Sequence, residues 1–488
     1  MLSIANRYVN SSCNVLLIVS DKYWLKRSGI KIDERMRLVF ISDLIKEAEY
    51  DLIKQAHSLR TIEKYLKDIE LKLPRNCEYG LRDVFLSDRR LCRTKVSQYT
   101  QGLRIKVTSN FESMLLHRTL VMLDNYGEHV KRVYVTFACN LYTDLLFYLK
   151  ALSEGSVFVN IRSARLKNYV FVSNDINDPD AQLLDALRYD GANYDTPTVR
   201  DIFDSLSGGE SRYEGTDLAL AHPKPGISRV KRLYRRLRIT PEIFTIRDRH
   251  TGHAFLLSLL GRCMNLPRRM SGRLFFSKKS IIKRELPYYF FPLHAEPEVS
   301  LDVYGSPVYC QVDLIRKLCR LLPIGYELVV KEHPVMLGRR PLGFYREIAN
   351  ISSSVVLLPP DSNISTLVRT SKCVFSITGS VGWLALANGV PLVVLGRSIF
   401  AALENSRLVL TARVETLSVK AIQNFILHFR RDDDRVKQLL YAVTETGVRV
   451  NLYGDLIGRK FGSESHLDPG DIDSQIELIH RKMVASGA

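Results

Sequence analysis

Between residues 286 and 425, short apolar runs alternate with segments of helical periodicity. That rhythm constrains the fold more than any other feature of this 488-residue chain. The runs are Tyr288-Tyr-Phe-Phe-Pro-Leu-His294, 326–331, Val355–Leu358, 373–377 and 391–395. Each is apolar enough for a buried strand and stops at small, polar or charged residues. Between them Gln311–Leu321, Phe344–Ile351, Ile364–Ser371 and 382–388 read as helices. Strand and helix in regular succession predict a parallel sheet with helices on its faces.

The first half repeats the rhythm more loosely. Val15–Ser20, Arg132–Phe137 and Ser156–Ile161 read as strands, and Leu38–Ile69 and Leu141–Ser153 as helical. Asn174–Thr216 is rich in Asp, Asn, Gly and Ser, which predicts loose connections around short helices. Ile426–Ala488 reads as mostly helical, with a polar loop at Gly462–Gly470. The expectation is an α/β protein of two facing Rossmann-like domains, the GT-B glycosyltransferase arrangement. Residues 1–222 form the first domain, 223–285 a basic linker, 286–425 the second domain and 426–488 a helical tail. The length agrees, being too great for one ordinary core.

Composition narrows the setting. Hydrophobic residues make up 46% and charged residues 25%, the balance of a globular protein rather than a disordered one. No stretch reaches the roughly 18–20 apolar residues that span a bilayer. Asn14-Val-Leu-Leu-Ile-Val-Ser20 is too short for a signal-peptide core, so a cytoplasmic location is expected. The eight cysteines show neither C-x-x-C nor zinc spacing, and several lie in apolar runs. Buried thiols in a reducing compartment are expected, with no metal.

The formal charge of +18 is concentrated. Residues 223–284 hold 17 Lys and Arg against Glu242 and Asp248, a local +15. Such a segment can be a solvated face, a substrate channel or a docking surface for an anionic membrane. Arg232-Leu-Tyr-Arg-Arg-Leu-Arg238 sets Leu233, Tyr234 and Leu237 on one helical face among arginines, a pattern compatible with membrane docking. No nucleic-acid partner is expected, because no RRM, KH, OB or helix-turn-helix signature accompanies the charge.

In an open parallel sheet, ligands sit outside the carboxyl ends of the strands. One strand here ends Lys331-Glu332-His333-Pro334 and another Thr378-Gly379-Ser380-Val-Gly382. Proline stops the first strand and pins the imidazole, which can hydrogen-bond a phosphate or exchange protons near neutral pH. Lys331 and the pair Arg339-Arg340 could neutralise phosphate charge. The glycines of the second end let backbone approach an anion where a helix begins. The alternatives are a packed strand-end histidine, solvated arginines and a plain tight turn. The loop is neither a Walker loop nor a G-x-G-x-x-G fingerprint, which disfavours an NTPase or a dehydrogenase. No G-x-S-x-G elbow points to a serine hydrolase. Asp144, Asp175, Glu296 and Glu298 are candidate general bases, and Glu298 is favoured.

Taken in order, Phe291-Pro-Leu-His-Ala-Glu296-Pro297-Glu298, Lys331-Glu-His-Pro334, Pro359-Pro-Asp-Ser362, Ile377-Thr-Gly-Ser-Val-Gly-Trp383 and Asn388-Gly389-Val-Pro391 through Gly396 resemble the bacterial capsule-polysaccharide biosynthesis family. Its members include GT-B Kdo transferases. Ser163-Ala-Arg165-Leu is similar to a Ser-x-Arg element of the same family. The resemblance implies a glycosyltransferase of capsule or surface polysaccharide assembly. Such an enzyme takes a CMP- or UDP-linked sugar as substrate, needs no separate cofactor, and delivers the sugar to a glycan or lipid-linked acceptor. Carried over residue by residue, it points to His333, Pro334, Thr378, Gly379 and Ser380 as holders of the donor phosphate. With Lys331, Arg340, Ser362 and Gly382 these make up the expected nucleotide-sugar site, with His333 and Glu298 as the expected catalytic residues. Where the family usually reads Trp-Glu-Ala-Leu, this chain reads Trp383-Leu384-Ala385-Leu386. The missing carboxylate leaves open a non-catalytic glycan- or sugar-nucleotide-binding homologue. A nucleotide-sugar epimerase, built on the same two domains, is a further alternative.

Overall fold

A computed structural model of the chain describes residues 13–19, 32–54, 58–86, 108–126, 132–137, 141–177, 179–188, 193–209, 286–296, 299–305, 310–450 and 469–485, with positions 5, 8, 88, 91, 267, 268, 270 and 272–276 besides. The arginine cluster 232–238, Glu298 and the loop 462–468 lie outside the described residues, and with them the expectations attached to them.

The architecture is α/β, with two Rossmann-like units and a helical C-terminal stretch, the composition of the GT-B fold. The strands are β1 (Leu16–Val19), β2 (Arg37–Phe40), β3 (Val133–Phe137), β4 (Val157–Ser163), β5 (Tyr169–Ser173), β6 (Tyr288–Pro292), β7 (Glu327–Lys331), β8 (Val355–Leu358), β9 (Cys373–Ser376), β10 (Leu392–Val394), β11 (Val409–Thr411) and β12 (Val448–Arg449). They form a parallel β1-β2 pair, a sheet ordered β12-β5-β4-β3 and a six-stranded sheet ordered β11-β10-β9-β6-β7-β8. Among the described residues, one compact unit comprises those within 1–160 and 467–488, and the other those within 161–222 and 261–466.

In the first unit the helices Ile41–Lys54 and Leu59–Leu71 both pack on Ser109–Asp124. Thr108 starts that last helix by accepting from the Phe111 N–H at 3.2 Å. The expected single helical stretch Leu38–Ile69 is corrected here. Arg37–Phe40 is a strand in register with β1, and two helices follow. Three apolar residues after an arginine carry no period, so only pairing with Leu16–Val19 could decide the matter.

The second unit is built on the six-stranded sheet, parallel throughout. Alternation along each strand sends side chains to opposite faces. Tyr288 and Phe290 enter one apolar cluster, and Tyr289 and Phe291 the other. Leu392 and Val394 likewise separate from Val393. Both faces are covered, which is why the interiors of these strands are apolar. The first cluster also takes in Tyr169, Phe171, Leu183, Val199, Phe203 and Leu206, so 161–209 shares this core. Hydrogen bonds reinforce the packing. Arg369 Nη2 donates to the Ser207 carbonyl at 2.9 Å, and Ser207 Oγ to the Ala387 carbonyl at 3.1 Å.

Two further points concern exposure. Of the described cysteines only Cys373 is buried, while Cys13 and Cys310 are exposed, against the expectation of buried thiols. Among the described residues no helix is long and apolar enough to cross a membrane.

Candidate functional site

The strand order of the second unit locates the site. β6, first in sequence, lies between β7 and β9, and the chain runs outward from it in both directions, making β6/β9 the topological switch point. Loops leaving neighbouring strands there part to opposite faces and open a crevice at the carboxyl edge. The residues at that edge are Leu293–Glu296 after β6, Glu332–Arg340 after β7 and Ile377–Ser380 after β9.

Two histidines dominate the edge. His294 is 8% exposed, and its Nε2 accepts the Thr378 N–H at 3.4 Å, joining the β6 and β9 loops. Burial, then the neighbouring charges of His333, Arg165 and Arg340, push its pKa down to about 3, so the ring is neutral. Gln311 clamps its backbone, accepting from the His294 N–H at 2.7 Å and donating to its carbonyl at 3.2 Å. His333 is half-buried and caps the short 3-10 turn Pro334–Met336, its Nδ1 accepting the Val335 N–H at 3.3 Å. With Nδ1 an acceptor, the proton of the neutral ring sits on Nε2. An imidazole N–H of this kind is chemically suited to a phosphate oxygen.

Around them the β7 loop is held by buried charge. Lys331 donates from Nζ to the Pro360 carbonyl at 2.8 Å, fixing the turn that contains Ser362, whose own N–H bonds the Pro359 carbonyl at 3.2 Å. Asn363 caps the following helix at the Thr366 N–H, 2.9 Å away. Burial holds the Lys331 pKa down at about 8, against the opposing pull of Glu332 and Asp361. Arg340 is fully buried and directed at Glu332, Glu296 and the His294 carbonyl.

The β9 loop closes on the site. Gly379 N–H donates to Ser376 Oγ at 2.9 Å, and a Cβ at Gly379 would lie 3.2 Å from His294 Nε2. Glycine therefore permits the loop's approach to His294. A Cβ at Gly382 would lie 2.4 Å from the Phe400 ring, so that glycine serves packing. Leu384, where the resemblance leads one to expect a carboxylate, is 1% exposed in an apolar cluster with Trp383 and Phe400.

The structure brings Lys331, His333, Pro334 and Arg340 to one strand end and Thr378, Gly379, Ser380 and Gly382 to another, with Ser362 on the turn tied to Lys331. Two candidate bases are committed locally. Asp144 accepts the Leu141 N–H at 2.9 Å as a helix cap, and Asp175 the Asn177 N–H at 3.1 Å in a turn. Glu296 pairs with Arg340 at 2.7 Å. His294, Glu332 and Gln311 were not among the site residues read from the sequence. The signal for His294 was present, since Phe291-Pro-Leu-His294 leaves a buried strand much as Lys331-Glu-His333 does. Arg165, in the Ser163-Ala-Arg165 element, has its charge felt at His294 and a left-handed backbone of φ 57° that only tertiary support maintains.

The family model described as "Capsule polysaccharide biosynthesis protein" matches residues 274–403. No curated protein sequence matches the chain. Similar solved structures include KpsC β-Kdo 2,4-transferase of Thermosulfurimonas dismutans, at 12% identity and TM-score 0.36, covering 70% of this chain and 86% of that one. KpsC β-Kdo 2,7-transferase of the same organism is similar at 12% identity and TM-score 0.34, covering 74% and 89%. A UDP-N-acetylglucosamine 2-epimerase-like protein of Listeria monocytogenes is similar at 14% identity and TM-score 0.23, covering 40% and 54%. At these values the likenesses transfer neither a residue role nor a substrate.

Proposed function

We propose that the chain is a glycosyltransferase that moves a sugar from a CMP- or UDP-linked donor to a glycan or lipid-linked acceptor in capsule or surface polysaccharide assembly. The observation that carries the reading is the edge at β6, β7 and β9, where the Thr378–Ser380 loop sits at a parallel sheet's switch point and His333 at the neighbouring strand end. The family-model match over 274–403 covers the same residues. In this reading Lys331, His333, Pro334, Ser362, Thr378, Gly379, Ser380 and Gly382 form the donor site or its walls. His333 donates from Nε2 to the donor phosphate and stabilises the charge that grows on the leaving nucleotide. Glu298 takes the acceptor proton. The enzyme works in the cytoplasm and docks on the inner membrane through 223–284.

A second reading, a binding protein without turnover, is favoured by Leu384. Calorimetric titration with CMP, UDP and GDP, followed by turnover assays with the corresponding nucleotide-sugars, separates the two. Transfer supports the enzyme, binding without turnover supports the second reading, and an epimerised product supports an epimerase. A folded protein that binds none of the three nucleotides rejects all of these. Within the first reading, His333→Ala weakens binding of the cognate nucleotide by about 1.5–3 kcal/mol, the range for a hydrogen bond to a charged group. Unchanged affinity in the folded variant removes His333 from the site.

A further inference from the structure

One side chain ties together the ends of β6 and β7. Arg340 is 0% exposed. Its Nε donates to Glu332 Oε2 at 3.0 Å and its Nη2 to Glu332 Oε1 at 3.0 Å. Nη1 donates to Glu296 Oε2 at 2.7 Å, and Nη2 also to the His294 carbonyl at 2.7 Å. The guanidinium carbon stands 4.7 Å from the Phe344 ring centroid. Glu332, itself fully buried, uses Oε1 to accept the His333 N–H as well. The cation therefore holds the His294 backbone directly and the His333 backbone through one carboxylate. These four bonds occupy four of the five donors of the fork. Burial alone would weaken the cation, and the Glu332 and Glu296 carboxylates outweigh it.

We propose that Arg340 is a positioning residue that braces His294 and His333 into the arrangement that binds the ligand, and that it does not itself contact the ligand's phosphate. The proposal deepens the donor-site reading and rests on it for the identity of the ligand. The planar fork explains why arginine is used. Lysine, a point charge on a flexible stem, cannot reach both Glu332 oxygens, Glu296 and the His294 carbonyl from one position.

The test uses the full chain with Arg340→Lys, and with the paired change Glu332→Met and Arg340→Met, which removes the fully buried pair and leaves only the partly exposed Glu296 without its partner. The imidazole NMR signals of His294 and His333, together with calorimetric titration of CMP and UDP, are compared with wild type. The expected result is that the signals of both rings move. Affinity for whichever nucleotide the wild type binds falls by about tenfold to a hundredfold, as when a partner that orients a binding group is lost. Lower thermal stability with unmoved histidine signals overturns the proposal, since that is what a merely structural pair would give. Lost affinity with unmoved signals also overturns it, because that is a direct phosphate contact. If Arg340→Lys does not fold, the paired variant decides on the same readouts. If neither folds, the role is structural and the proposal falls. Should the wild type bind neither nucleotide, the donor-site reading fails by itself, and the histidine signals still decide the brace.

Discussion

His294 shows what a single residue can do at the edge of a sheet. It is neutral because it is buried among positive groups, and being neutral it can accept the Thr378 N–H. Its pKa is lowered from 6.5 to about 3, so the unfolded chain binds a proton there that the folded chain does not. The associated stability is present above pH 6.5 and is lost as the pH falls towards 3. Within that window the slope approaches about 1.4 kcal/mol per pH unit. Urea unfolding of wild type and His294→Gln at several pH values isolates the effect, since other titrating groups contribute to both. The wild type should lose stability more steeply with acid, and parallel slopes would mean that the folded ring is charged. Little of this was legible beforehand. A histidine after a strand marks an edge, but which nitrogen accepts, and from what, depends on a loop 84 residues away.

At the scale of elements, β6 through β10 were legible because a fully buried parallel strand writes its burial on every residue. The observed Val355–Leu358 and Cys373–Ser376 fall on the expected runs. β2, β11 and β12 were not anticipated, being segments of two to four residues whose pairing partners are their main justification. β5 was missed although Tyr169–Ser173 is fully buried. The helix Val381–Ala387 illustrates the limit of pattern reading. All seven of its residues are buried, so the departure at Leu384 is a core position in this chain. Leu384→Glu would bury a carboxylate among Trp383, Phe400 and their neighbours. The expected cost is about 3–5 kcal/mol, combining lost apolar packing with an unpaired buried charge. Nucleotide affinity should not improve. Denaturant unfolding and the CMP and UDP titrations measure both, and a stable Leu384→Glu protein with tighter binding would show that the position belongs to the site.

At the scale of the whole molecule the dominant fact is the charge distribution, with +15 of +18 carried by residues 223–284. Each Lys or Arg near an anionic surface contributes on the order of 1 kcal/mol, decaying within a Debye length. Arg232, Arg235, Arg236 and Arg238 together would supply up to roughly 4 kcal/mol. The protein should co-sediment with anionic but not zwitterionic vesicles. Binding should vanish at high salt, and also when those four arginines are changed to Gln. Equal binding to both vesicle types, or to neither, returns the segment to a solvated face or a substrate channel. The same scale separates what could be read from what had to be seen. Apolar period and strand length are properties of adjacent residues, so the sequence by itself determined the α/β class, the succession of strands from β6 to β10 and the two strand ends that carry His333 and Thr378. Tertiary structure decided the order of those strands, the packing of 161–209 into the second core and the fate of Arg340. That guanidinium meets carboxylates eight and 44 residues away in sequence. Whether a buried cation faces a ligand or a carboxylate depends on what desolvates it, and that is settled only when distant segments close around it.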